Sequence, residues 1–114
     1  FMQMIRAVNS DVQFILTVPN DSYYKRKYPN LNTAKTEAAI YELAIKHNAL
    51  VWDCYKIMGG LKSARTWMYA GMMKKDLIHF TNEGYILKGE LFWDAFKRSY
   101  QNYLEHKPTT TDAH

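Results

Sequence analysis

Met2, Met4, Ile5 and Val8 recur at helical spacing and predict a helix at the start of the chain. The pattern then changes. Residues 12–18, Val-Gln-Phe-Ile-Leu-Thr-Val, form a short, β-branched apolar run between Asn-Ser-Asp and Pro-Asn-Asp, which reads as a buried strand. Such continuity, without alternation, suits a parallel sheet covered on both faces. Residues 19–32 are polar, with Pro, Asn and Asp punctuation, and predict a long loop. Asn32 or Thr33 then caps a helix to about residue 48, with Ala39, Ile40, Leu43 and Ala44 as its apolar stripe. Residues 49–55 make a second buried strand. After Gly59-Gly60, residues 61–75 have no regular period and predict one or two short helical turns. A loop over 76–81 leads into a long amphipathic helix, residues 82–106, capped by Thr81 and with Tyr85, Gly89, Phe92, Phe96 and Tyr103 near one face. Gly89 inside that helix costs about 1 kcal/mol relative to Ala, which predicts a closely packed neighbour there. Residues 107–114 form a polar tail expected to fray.

Helix, strand, loop, helix, strand is the order of an α/β protein with parallel strands. Two strands are few for such a sheet and leave an open edge. Together with a start on Phe1, inside a helical pattern, they predict that residues 1–106 are the C-terminal portion of a single larger domain, which its N-terminal half or a second copy would complete. A length of 114 residues, 47% hydrophobic and 23% charged, fits a globular core and excludes disorder, collagen and coiled coil. No apolar run, residues 49–52 included, exceeds four residues, far short of the ~20 that span a bilayer.

The net charge of +4 comes from 15 basic and 11 acidic residues, with one local cluster at Lys25, Arg26 and Lys27. Tyr23, Tyr24 and Tyr28 flank it, and basic groups among aromatic rings hold anionic glycans or single-stranded nucleic acid by charge and stacking. A single short cluster falls below the basic face that nucleic-acid binding needs, so a solvated tyrosine-rich loop is the first reading and a binding module the alternative. Cys54, the one cysteine, can form neither an internal disulfide nor a multi-thiolate zinc site and reads as a small buried hydrophobe. His47, His106 and His114 have no metal-ligand spacing.

Asp76 and His79 are the candidate chemical pair; as a bare spacing they also fit a solvated pair in a surface loop. A carboxylate three residues before a histidine can accept the Nδ1 proton, fixing the tautomer that leaves Nε2 free to activate a hydroxyl nucleophile. The block Asp76-Leu77-Ile78-His79-Phe80-Thr81-x-x-Gly84-Tyr85 resembles the last block of the SGNH (GDSL) hydrolases, in which the Asp and His of a Ser-His-Asp triad lie on one loop ahead of the C-terminal helix. Met58-Gly59-Gly60, Trp67, Ala70-Gly71-Met72 and Lys75-Asp76 sharpen the resemblance toward SGNH esterases that remove O-acetyl groups from peptidoglycan and related polysaccharides. The resemblance implies the C-terminal part of a three-layer α/β/α, flavodoxin-like fold and ester hydrolysis without a metal or organic cofactor. It implies an acetylated polysaccharide or peptidoglycan as substrate, and a periplasmic, cell-envelope or secreted location.

The family's Gly-Asp-Ser block and its oxyanion Gly and Asn have no recognisable counterpart here, so this chain alone is expected to be nearly inactive. Ser10, Ser22, Ser63 and Ser99 lie in no Gly-Asp-Ser turn, Ser63 being the nearest in sequence to the Asp-His block. Asn20 follows a strand, but one corresponding to a later strand of the family. Gly59 and Gly60 let the chain pass close to substrate or simply make a turn. Trp67 and Tyr69 offer faces for sugar rings or fill the core. Asp53, at the end of the second strand, is expected to orient a loop by accepting backbone hydrogen bonds.

Overall fold

The computed structural model describes residues 1–106; the predicted tail and His114 lie outside the described residues. Strand β1 (Ile15–Val18) runs parallel to β4 (Leu50–Asp53), with Ile15 opposite Leu50 and Val18 opposite Asp53. The connection between them carries helix α2 (Asn32–His47). Successive β4 side chains alternate between the two sheet faces. Trp52 meets Phe92 of the long helix α5 (Asn82–His106) edge-on at 5.2 Å, and the next residue, Asp53, shares a cleft with Glu37 and Tyr41 of α2. The parallel α/β class and the long C-terminal helix therefore stand.

Burial rises toward the C-terminal ends of both strands. Ile15 and Leu50 are exposed, whereas Val18, Trp52 and Asp53 are buried. The core gathers beyond those ends, where Tyr23, Trp52, Cys54, Met58, Ala64, Met73, Leu77 and Phe80 pack together, flanked by Trp67, Met68, Leu91, Phe92 and Ala95. Helix α1 (Met2–Val8) buries Met2 and leaves Met4 and Val8 exposed.

Several expectations need correction. The second strand stops at Asp53 rather than 55, because the Asp53 carboxylate accepts from the Lys56 amide at 2.9 Å and starts helix α3 (Cys54–Met58). A continuous apolar run does not by itself separate strand from helix. The first strand is likewise shorter than residues 12–18. The loop over 19–32 contains a hairpin, β2 (Tyr23–Tyr24) and β3 (Tyr28–Pro29). Helix α2 has no side-chain cap from Asn32 or Thr33; instead Asn30 accepts from the Asn32 amide at 2.9 Å. Of its predicted stripe, Ala44 is buried and Ile40 half-buried, while Leu43 and Ala39 face outward. Residues 61–75 do hold the expected short helical turns, as helix α4 (Ser63–Tyr69).

Thr81 caps α5 as expected, its Oγ1 accepting from the Gly84 amide at 3.1 Å. The glycine that something packs against is Gly84, not Gly89. A Cβ on Gly84 would collide with the Met72 carbonyl group, while one on Gly89 meets nothing within 4 Å. Phe96 and Tyr103 share the face of α5 that carries Phe92, with Phe96 stacked on Phe92 at 6.4 Å, but both are exposed, since the core contacts end short of them.

Candidate functional site

Residues 73–80 form a closed loop. Met73 and Phe80 pair as an antiparallel bridge, and the Lys74 amide donates to the His79 carbonyl at 2.8 Å. Leu77 sits in the left-handed region (φ 59°), an uncommon conformation for a residue with a Cβ, and is buried in the core. That anchor turns its neighbours outward: Ile78 and His79 are exposed.

Asp76 organises the rest. One carboxylate oxygen accepts from the Ile78 and His79 amides at 2.9 and 3.0 Å; the other lies 2.7 Å from His79 Nδ1. The hydrogen bond from the His79 ring, helped by the two amides, outweighs partial burial and holds the Asp76 pKa down to about 2. An ionised carboxylate can only accept, so Nδ1 carries the proton, and in the neutral ring Nε2 is the free acceptor. The His79 side chain is 61% exposed, so the ring is not sealed off within this chain.

The chain after β1 braces this loop. Asn20 donates to the Ile78 carbonyl at 3.3 Å and to the Asp21 carbonyl at 2.9 Å, and the Tyr23 amide donates to the Leu77 carbonyl at 3.0 Å. Asn20 therefore supports the Asp76-His79 loop from the end of β1.

The other sequence-predicted residues lie elsewhere. Gly59 (φ 121°) and Gly60 (φ 77°) reverse the chain after α3 and line a cleft of about 530 Å³ with Glu37, Tyr41, Asp53, Tyr55 and Lys56. Asp76 and His79 are not among the residues lining that cleft. Trp67 is half-buried, its indole N–H donating to the Met58 carbonyl at 3.1 Å and its ring edge-on to Phe80 at 5.7 Å. Its contacts are those of a core residue. Tyr69 is exposed. Ser63 opens α4 and is 7% exposed, so its hydroxyl is not presented at a strand-to-helix turn.

Sequence reasoning passed over Asp21. It is fully buried and accepts from the Ala64 amide at 2.9 Å, tying the chain after β1 to the start of α4. Burial raises its pKa against the opposing pull of the Ala64, Ser22 and Lys62 amides. An Asp in a Pro-Asn-Asp-Ser run reads as turn punctuation, and a partner 43 residues away leaves no local mark.

No protein-family model matches the sequence, and no curated protein matches it. Among solved structures, a peptidoglycan O-acetylesterase aligns with a TM-score of 0.81 and 18% identity over 88% of this chain. The chain spans 30% of the length of that protein. At this identity the likeness establishes a shared α/β fold.

Proposed function

We propose that this chain is the C-terminal portion of an SGNH-type serine esterase acting on O-acetyl groups of peptidoglycan or a related polysaccharide, and that Asp76 and His79 are two members of its catalytic triad. The observation that carries the reading is the 2.7 Å contact between an ionised Asp76 and the protonated Nδ1 of an exposed His79. The shared fold with a peptidoglycan O-acetylesterase supports the substrate class.

In this reading the serine comes from polypeptide outside these 114 residues. His79 Nε2 takes the serine proton as Oγ attacks the acetyl carbonyl. It then returns that proton to the departing sugar oxygen, leaving an acetyl-enzyme. Water, deprotonated by the same nitrogen, releases acetate and restores the serine. Asp76 holds the ring in its tautomer and stabilises the imidazolium that forms in each step. Oxyanion donors also come from outside the chain. The two-stranded sheet, with Ile15 and Leu50 exposed, is consistent with a partner surface that such polypeptide would cover. Gly59, Gly60 and the part of Trp67 that its core contacts leave accessible remain proposed substrate contacts, and the setting an extracytoplasmic one. No helix among the described residues is long and apolar enough to cross a membrane.

The test is acetate release from O-acetylated peptidoglycan by a polypeptide that joins this chain to the residues supplying the serine. His79→Ala should lower kcat by about 10⁶-fold, the scale of losing a triad histidine. The isolated chain should release acetate from O-acetylated peptidoglycan no faster than its His79→Ala variant. Hydrolysis by the isolated chain that His79→Ala abolishes, and that substitution of Ser63 leaves intact, would count against an external nucleophile.

A further inference from the structure

The basic cluster at residues 25–27 forms the tip of the β2–β3 hairpin, and its backbone is costly to hold. Lys25 (φ 52°) and Arg26 (φ 60°) are both left-handed, closed by the Lys27 amide donating to the Tyr24 carbonyl at 3.1 Å. That turn ordinarily takes Asn-Gly, and two long cations there work against conformational preference. Tyr24 and Tyr28 stand opposite each other in the ladder, hence on one face, and are 65% and 53% exposed. Lys25 Nζ lies 5.3 Å from the Tyr24 ring and Lys27 Nζ 5.6 Å from the Tyr28 ring. Among the described residues, no carboxylate forms an ion pair with Lys25, Arg26 or Lys27.

The root of the hairpin is fixed. Tyr23 is buried and its amide is bound to the Leu77 carbonyl, within the loop that presents Asp76 and His79. Arg65 of α4 lies 5.0 Å over the Tyr23 ring and reaches the Arg26 carbonyl at 3.5 Å.

We infer that the β2–β3 hairpin is a docking arm for an anionic glycan, the three cations engaging carboxylates along the polymer and the Tyr24–Tyr28 face stacking on its sugar rings beside the Asp76–His79 loop. The inference rests on the esterase reading for its choice of a glycan over a nucleic acid. Stacking and charge alone serve either polymer.

The experiment is co-sedimentation of the full chain with purified insoluble peptidoglycan, run also in a His79→Ala background so that binding is read independently of catalysis. Binding should weaken strongly between about 0.1 M and about 1 M salt, as the screening length shrinks from about 10 Å to about 3 Å. The triple variant Lys25→Gln, Arg26→Gln, Lys27→Gln, with an unchanged circular dichroism spectrum, should lose about tenfold in affinity, the scale of three exposed ion pairs. Lys25→Arg with Lys27→Arg should bind like the parent. Uncharged chitin should not be retained. Absence of binding, equal binding of chitin, indifference to salt or to the triple variant, or tighter binding of an oligothymidylate competitor would each overturn the inference. None of these readouts depends on ester hydrolysis, so the two readings fail separately.

Discussion

Gly84→Ala puts the junction between the Asp76–His79 loop and α5 under direct test. A Cβ at Gly84 would fall inside the Met72 carbonyl oxygen's envelope, 2.8 Å from the Met72 carbonyl carbon and 3.1 Å from Phe80 Cβ. The obstruction is mainly backbone, which is itself engaged: the Thr81 amide donates to the Met72 carbonyl at 3.0 Å and the Thr81 hydroxyl to the Gly71 carbonyl at 2.8 Å. Overpacking of this kind costs about 3 kcal/mol. Helix propensity returns at most about 1 kcal/mol, so a net loss of about 2 kcal/mol is expected, or roughly 8–16 °C in Tm for a domain of this size. Gly89→Ala supplies the control. Its Cβ meets nothing within 4 Å, so it should gain about 0.5–1 kcal/mol from propensity alone. Urea titration followed by circular dichroism, with thermal melts alongside, measures both. A Gly84→Ala variant within about 0.5 kcal/mol of the parent, or a destabilised Gly89→Ala, would refute the packing argument, since two glycines of one helix would then not differ as their surroundings require.

Asp76 has a folded pKa of about 2 against about 3.9 unfolded, so its stabilising contribution is present above pH ~4 and is lost as pH falls through about 2. Because the side chain is 33% exposed, solvent screening leaves about 1 kcal/mol or less, and a carboxyl ¹³C titration with a midpoint at 3.9 or higher would refute the assignment. Asp21 behaves oppositely. Burial raises its pKa, so the carboxylate's cost appears as pH climbs from the unfolded value past the folded one; Asp21→Asn should gain stability relative to the parent over that window in urea titrations. Asp21→Ala should lose about 2 kcal/mol or more by leaving the buried Ala64 amide without its acceptor. Trp67→Phe should cost about 1 kcal/mol of stability through the lost bond to the Met58 carbonyl. If its measured effect is instead a raised KM for the glycan ester with stability unchanged, the ring faces substrate.

What could be read along the chain was local. The Asp76–His79 spacing sits in one loop, and the Thr81 cap and the two apolar runs are signals of neighbouring residues. The β2–β3 hairpin was hidden because Lys25 and Arg26 occupy a turn whose usual signature is Asn-Gly, and its strands are two residues each. Asp21 was hidden by distance, since its partner Ala64 is brought near only by the fold. Gly89 and Gly84 look alike in a helical pattern, and only the course of residues 71–73 distinguishes them. The cleft at Gly59 and Gly60 forms where α2 and the chain after β4 converge, which no spacing within either segment records.

Helix α5 extends about 37 Å at 1.5 Å per residue. Its core contacts end near Ala95, while Tyr100, Tyr103 and Leu104 are exposed. One continuous element therefore spans two regimes of hydrogen exchange. Amides near Leu91 and Phe92 should exchange only through global opening, and those past Tyr100 through local opening of the outer turns. A polypeptide that covers the outer half would erase this gradient, so amide protection along a single helix reports whether the apolar surface of α5 has been engaged.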